Sequence, residues 1–311
     1  MKVLVTGATG FVGACLTRRL LKLGHEVHLF VRTESNRWRL AGLLGDVVQH
    51  AVDLRDPQAV SGAVAAIKAQ GIFHLATYGG FSFQRDAGTI FAANLGGTMN
   101  LVGACQKVGF DFFVNTGSSS EYGIKSLPMK ESDLLEPLGD YAVSKAAATL
   151  YCRSEALRKD QPMVTLRVFS PYGPWDDPKR LIPYVMSSLL RQTAPVLSSP
   201  CAVRDYLYIG DAIDAYLAVT GATIVPGAIY NVGSGRQSDV GTVVAKIAAQ
   251  IGSQAVPVWG ARELAHSEPA AWVADVTALQ SQVSWRPAVA LDDGLQKTID
   301  WMQGNLAYYH N

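Results

Sequence analysis

Lys2-Val-Leu-Val-Thr6-Gly7-Ala-Thr-Gly10-Phe-Val-Gly13 is the stretch that decides how the rest of the chain is read. Its first five residues are β-formers without alternation, the pattern of a strand buried on both faces. Beyond the glycines, Ala14 to Leu23 has amphipathic helical spacing and stops at Gly24. Strand, glycine turn and helix in this order form a dinucleotide cradle. The glycines let the backbone turn tightly and approach a pyrophosphate, which binds at the helix N-terminus. Glycines at this spacing vary the commoner fingerprint and say little in isolation; between a strand and a helix they are specific.

Moving outward, a second strand over Glu26–Val31 ends at Arg32, with Ser35, Asn36 and Arg37 just beyond. An NAD-preferring cradle carries an acidic residue here for the adenine ribose hydroxyls, whereas a guanidinium suits a 2′-phosphate. NADP(H) is therefore the expected cofactor and NAD(H) the alternative; the bland reading of Arg32 is a solvated loop charge. A third strand spans Val47–Val52, and Asp53-Leu54 at its end is placed to meet an adenine ring. A helix over Pro57–Ala69, a strand over Gly71–Ala76, a long helix over Phe91–Val108 carrying Asn94 and a strand over Phe112–Thr116 continue the alternation. This order predicts an α/β protein with a Rossmann-like, doubly wound parallel sheet. Ligands bind at the carboxyl ends of such strands, where Thr77, Ser118 and the glycine loop all fall.

Gly117-Ser118-Ser-Ser-Glu121-Tyr122-Gly123 breaks the sheet pattern, and a serine run after a strand is by itself only a helix cap or polar loop. The next helix, Asp140 to about Leu157, carries Tyr141-Ala-Val-Ser-Lys145. Tyr and Lys four apart project from one helix face, so the ammonium is expected beside the phenol, lowering its pKa towards working range. Any long helix can carry such a pair; its company gives it meaning. A strand at Val164–Val168 then leads into a rigid aromatic loop, Phe169–Pro174. Beyond it the alternation becomes irregular: helices over 181–191, 211–222, 239–251 and near 293–302, and strands over Arg204–Ile209, Ala228–Val232 and Val256–Val258. The expected division is a dinucleotide-binding domain over 1–168, with 203–233 returning to it, and a smaller α/β substrate-binding lobe over 169–311.

Length and composition bound the function. The 311 residues allow a sizeable core, and 49% hydrophobic with 17% charged residues fits a soluble enzyme. A net charge of +1 gives no case for a nucleic-acid partner. No signal peptide or membrane-spanning run is visible, which makes the expected location cytoplasmic. Cys15, Cys105, Cys152 and Cys201 lack metal or disulfide spacing and lie in apolar segments, so buried free thiols and no metal are expected.

Taken together, these residues resemble the extended short-chain dehydrogenase/reductases, the nucleotide-sugar epimerase, dehydratase and ketoreductase group. The resemblance runs nearly end to end, through the glycine loop, His74-Leu-Ala76, Asn94, the serine loop, Tyr141-x-x-x-Lys145, Arg167-Val-Phe, Tyr172-Gly-Pro174 and Arg204-Asp-Tyr206. Within the group, the serine loop, Leu181-Ile-Pro-Tyr184 and the Arg204 strand look most like reductases of nucleotide-activated 4-keto-6-deoxyhexoses. What the resemblance implies is a catalytic set of Ser118, Tyr141 and Lys145. It also implies cofactor contacts at Gly7, Thr9, Gly10, Phe11, Val12, Gly13, Arg32, Asp53, Leu54, Leu75, Ala76, Thr77 and Val168, shared by Tyr141 and Lys145. Substrate contacts are implied at Ser118, Ser119, Ser170, Arg180 and Arg204, and homodimerisation through the helices of Asn94 and Tyr141. Departures matter as well. The acidic residues that dehydratases carry after the catalytic hydroxyl are Ser119 and Ser120 here, and Glu121 falls one place late, so elimination of water is disfavoured. Ser170 replaces the usual asparagine, and Ala265 stands where a second diphosphate arginine often precedes the glutamate matched by Glu268, leaving Arg262 or His266 to substitute. A 4-epimerase with tightly held NAD is the nearest competitor, followed by a reductase of non-nucleotide ketones or aldehydes and a non-catalytic NADP sensor.

Overall fold

In the computed structural model, which describes residues 1–260 and 269–309, the apolar runs of the first half line up as one parallel sheet. Strands β1 (Lys2–Thr6), β2 (Glu26–Val31), β3 (Val48–Ala51), β4 (Gly71–His74), β5 (Phe112–Ser118) and β6 (Met163–Val168) join a later strand, Ala228–Val232, in the order 3-2-1-4-5-6 with the late strand at the far edge. Every pairing in it is parallel. The two faces follow from the period of two along a strand. Val3 and Val5 face a core with α1 (Phe11–Lys22), while Leu4 between them faces α2 (Pro57–Ile67).

Two segments depart from the expected elements in this half. The long helix begins earlier, as α3 (Ala87–Phe91) capped by Asp86, passes through a π-turn at Ala92–Gly96 and continues as α4 (Gly97–Val108). The π-turn holds Asn94, whose side chain is fully engaged, as described below; such turns mark positions where a side chain must be re-aimed. β5 runs on to Ser118, and the serine run that follows is a 3₁₀ turn, Ser119–Tyr122, before α5 (Gly139–Lys159).

The second half is assembled from short pieces. β7 (Pro171–Tyr172) lies in what the sequence suggests is loop, and α6 (Leu181–Leu190) follows. The expected strand over Arg204–Ile209 is two: β8 (Val203–Arg204) and β9 (Leu207–Tyr208), each pairing in its own small sheet. Asp205 separates them, turned inward to hold other backbone. α7 (Ile209–Thr220) covers the α1 face of the main sheet, β10 is the Ala228–Val232 strand, β11 (Ser238–Asp239) pairs with β8, and α8 (Val240–Ile251) follows. Val256–Val258 is reduced to a single bridge, Val258 to Val196, because proline at 257 offers no ladder donor. α9 (Thr277–Gln282), which the sequence did not announce, and α10 (Leu291–Asn305) complete the described elements. α6, α8 and α10 enclose a separate core around Met186, Val243, Ile299 and Tyr309. Of the cysteines, Cys105 and Cys152 are buried, but Cys201 is exposed, contrary to the expected burial. No described helix is long and apolar enough to cross a membrane.

Candidate active site

The glycine loop shows why those positions carry no side chain. Gly7 has φ +72°, and a Cβ there would lie 2.5 Å from the Ala76 nitrogen. A Cβ on Gly13 would lie 2.3 Å from the Gly7 carbonyl oxygen. Both clashes are with backbone, so β1, β4 and the start of α1 approach each other as only glycine allows. The first-turn N–H groups of α1 point to the carboxyl edge of the sheet, a cradle that fits a pyrophosphate. Thr9, Phe11 and Val12 line the same turn, with Leu75 buried behind it and Ala76 and Thr77 following β4.

A directional chain of hydrogen bonds locks this edge. The Thr98 hydroxyl donates to the Asn94 carbonyl at 2.5 Å, so its oxygen accepts from His74 Nε2 at 2.8 Å. That leaves His74 Nδ1 to accept the Thr6 hydroxyl at 2.7 Å, and Thr6 Oγ1 to accept the Ala76 N–H at 3.3 Å. Burial pushes the imidazole down to about 3, so it is neutral and the chain keeps one direction. Asn94 extends it. Its Oδ1 accepts from the Tyr78 N–H at 2.8 Å and from Thr77 Oγ1 at 3.2 Å, and its Nδ2 donates to Ser144 Oγ at 2.9 Å. Ser144 Oγ donates to the Tyr141 carbonyl at 2.8 Å, so the network reaches the helix turn that bears the phenol.

Ser118, Tyr141 and Thr77 meet at this edge, where the Ser118 and Thr77 side chains both favour the ionised phenol. Ser118 caps the 3₁₀ turn, accepting the Ser120 N–H at 3.2 Å, while Glu121 Oε1 accepts the Ser118 N–H at 2.8 Å. Glu121 is wholly buried: Oε2 accepts from Arg167 Nε at 2.8 Å and Oε1 from Thr149 at 3.0 Å. Its carboxylate therefore braces the serine loop from behind and faces away from the cleft. Ser119 is buried, and Ser120 is partly covered.

The expected effect of Lys145 is not what the structure shows. Its ammonium is buried and donates to the Thr116 carbonyl at 2.5 Å, and burial holds it below the ordinary lysine range. The phenol of Tyr141 is raised rather than lowered, because burial outweighs the Ser118 hydrogen bond and the charge of a different cation, Arg180. Arg180 donates to the Gly80 carbonyl at 3.3 Å and its guanidinium lies 4.8 Å from the Phe81 ring. It thereby borders the phenol across the loop after β4, a neighbour invisible in the sequence.

The other expected contacts are more scattered. Arg32 is exposed and pairs with Glu34 at 3.3 Å. Asp53 is engaged by Arg55, whose guanidinium reaches both carboxylate oxygens at 2.6–3.0 Å, and Arg32 adds to the positive field there. Leu54 is buried, with its carbonyl held by Asn100. Val168 and Ser170 flank the end of β6, and Ser170 accepts from the Leu207 N–H at 3.1 Å. Arg204 lies 5.2 Å from the Trp272 ring, while its neighbour Asp205 accepts four hydrogen bonds, from Ser234, Gly235 and Ala274. Ala265, Arg262, His266 and Glu268 lie outside the described residues. Among the described residues no cluster of His, Cys, Asp and Glu could hold a metal ion.

Sequence reasoning missed Arg39 and Asp176, both buried near the glycine loop. Neither lies in a periodic segment, and only the meeting of distant loops makes them neighbours.

This architecture has relatives. Residues 3–233 match a family model described as the NAD dependent epimerase/dehydratase family. The UDP-glucose 4-epimerase of Mycolicibacterium smegmatis is 28% identical over 97% of this chain and 99% of that protein. The dTDP-D-glucose 4,6-dehydratase of Mus musculus is 27% identical over 100% of this chain and 90% of its own length. Among solved structures, the Thermus thermophilus UDP-glucose 4-epimerase in complex with NAD superposes with a TM-score of 0.87 at 27% identity, covering 98% of this chain and 99% of that one. A match over most of the sequence, with a sheet edge and glycine cradle built to receive a dinucleotide, makes this chain a member of the NAD dependent epimerase/dehydratase family.

Proposed function

We propose that the protein reduces the 4-keto group of a nucleotide-activated 4-keto-6-deoxyhexose with NADPH. The observation that carries this reading is Arg32 at the end of β2, where an NAD site would hold an acidic residue. Gly7, Thr9, Gly10, Phe11, Val12 and Gly13 would hold the pyrophosphate, Arg32 the adenosine phosphate, and Asp53, Leu54, Leu75, Ala76, Thr77 and Val168 the rest of the cofactor. The bound nicotinamide would supply a hydride. Tyr141, a phenol kept neutral by burial, would give its proton to the carbonyl oxygen as charge develops there. Ser118 would hydrogen-bond the developing alkoxide, an interaction that strengthens in the transition state. Lys145, anchored on Thr116, would hold the nicotinamide ribose, and Ser119, Ser170, Arg180 and Arg204 the sugar nucleotide. Glu121 is spent on Arg167, and Ser119 and Ser120 carry no charge, so the serine loop lacks the usual acid and base of a dehydratase, which disfavours elimination of water.

A nucleotide-sugar 4-epimerase with resident NAD is the second reading, favoured by the Mycolicibacterium and Thermus relatives. The two separate in one assay: NADPH and NADH oxidation against a panel of freshly prepared NDP-4-keto-6-deoxyhexoses. Fast consumption of NADPH with little of NADH supports the reductase. No consumption, with NAD released on denaturing the protein, would overturn it for the epimerase. The division into a dinucleotide domain over 1–168, with 203–233 returning to it, and a substrate lobe over 169–311, and assembly as a homodimer, belong to the same proposal.

A further inference from the structure

Arg39 sits in a 3₁₀ turn, Trp38–Leu40, after β2, and its side chain is only 8% exposed. Its Nε donates to the Trp175 carbonyl at 2.7 Å, Nη2 to Asp177 Oδ2 at 3.0 Å and Nη1 to the Thr9 carbonyl at 3.3 Å. One buried cation thus joins the glycine loop, the loop after β2 and the loop after β7. A buried guanidinium is costly unless its donors are taken up, and a planar fork fits three acceptors that a lysine could not satisfy together.

Its grip on Thr9 is specific in effect. The Thr9–Gly10 peptide is held at both ends, its carbonyl by Arg39 and its N–H by the Gly7 carbonyl at 3.0 Å. That peptide precedes the first turn of α1, so locking it aims the N–H groups of Phe11 and Val12, which the helix itself leaves without partners. On the far side of the clamp, Trp175 has φ +73°, a conformation a bulky residue keeps only when its surroundings enforce it. Trp301 at 4.9 Å, Trp38 and Tyr308 at 5.7 Å each, and the Arg18 guanidinium at 3.9 Å provide that enforcement. The chain's last described residue, Tyr309, is fully buried against Trp38 and Trp301. Trp175 is not among the core side chains on either face of the sheet, whereas Leu40, next to Arg39, is.

We infer that Arg39 is a positioning residue that sets how long the cofactor stays: it presents the glycine-loop amides to the pyrophosphate and ties them to the 173–177 loop, so release requires this clamp to open. The inference rests on the dinucleotide reading given above. The test compares the full-length protein with Arg39→Ala, Arg39→Lys and Asp177→Asn, measuring NADPH dissociation by stopped-flow fluorescence, cofactor KM, kcat at saturation and melting temperature. Arg39→Ala is expected to release NADPH at least about tenfold faster, each tenfold matching the loss of one well-made contact. Its KM should rise in step while kcat at saturation stays within about twofold, as expected when binding is lost uniformly. Arg39→Lys, which keeps the charge without the fork, should fall between it and wild type, and Asp177→Asn, which keeps the Thr9 bond, closer to wild type. Unchanged dissociation and KM with a lowered melting temperature would overturn the inference and leave Arg39 a brace. Should Arg39→Ala not fold, unchanged release from both milder variants overturns it equally. Wild-type protein that binds neither NADPH nor NADH would instead sink the dinucleotide reading itself, a different signature from a variant that binds but does not retain.

Discussion

Tyr141 and Lys145 share a helix face, yet they meet different neighbours: Ser118 and Thr77 act on the phenol, and the ammonium donates to the Thr116 carbonyl. Burial keeps the tyrosine protonated near neutral pH, which makes it a proton donor rather than a base. Tyr141→Phe removes that proton and little else, since the ring and the helix remain. Turnover is expected to fall about 10²–10⁴-fold, the usual worth of a positioned acid, with cofactor affinity within about threefold of wild type. Steady-state rates and a titration of NADPH check this; a variant turning over at the wild-type rate would show that the proton comes from another group. At this scale the sequence was most legible, because Tyr-x-x-x-Lys and the serine cap depend on local spacing. Arg180 was assigned to the substrate, and its position beside the phenol emerges only when the loop after β4 folds over.

The element that links the two ends of the cleft is the loop from β7 to α6. Near its start Asp177 holds Arg39; at its end Arg180 holds Gly80 and lies beside the phenol. Immediately before Asp177, Asp176 is buried, 4% exposed, its Oδ1 accepting the Asp177 N–H at 2.7 Å. Burial pushes this carboxyl up to about 7, opposed by Arg180 and Arg39 and assisted by Asp177; Cys15 and Tyr309 are its uncharged titratable neighbours. The sign follows from linkage. An acid whose folded value lies above its unfolded value binds more protons when folded, so stability falls as pH rises between about 4 and 7. Asp176→Asn removes that loss while keeping an acceptor for the Asp177 N–H. Melting curves of variant and wild type should nearly coincide at pH 4 and separate towards pH 8, the variant being the more stable by on the order of a few kcal/mol. Parallel curves across that range would show that Asp176 ionises freely in the fold. The sequence marks 176–180 only as a charged loop, since nothing local distinguishes a buried carboxyl from a solvated one.

At the scale of the whole molecule, α4 and α5 cover one face of the sheet, and an apolar stripe runs along their outer surface among exposed charges such as Arg153 and Arg158. Val143, Leu150 and Leu157 recur every seventh residue along α5 and are 39%, 53% and 57% exposed, with Met99 on α4 43% exposed. A stripe of that kind on a helix already packed beneath by the sheet fits a second copy of the same face, the basis for the proposed homodimer. Leu150→Asp, placing a charge within it, is expected to convert a dimer of the 33.4 kDa chain into monomer on sedimentation while the protein stays folded. Wild-type protein sedimenting as a monomer would remove the proposal.

What the sequence determined by itself is the sheet, the cradle and their order. β1, β2 and β6 are short apolar runs, and Gly7 and Gly13 stand where a Cβ would strike backbone, so local sterics and periodicity settle them without knowledge of distant partners. The tertiary structure decided the rest. β8 and β9 are separate because Asp205 turns inward to hold Ser234, Gly235 and Ala274, contacts made far along the chain. Asn94 occupies a π-turn because its amide must satisfy Tyr78 and Ser144 at once. Arg39 and Asp176 are buried because loops from opposite ends of the chain close over them. Burial and partner choice are properties of non-local packing, and a linear pattern carries no record of which loops will meet.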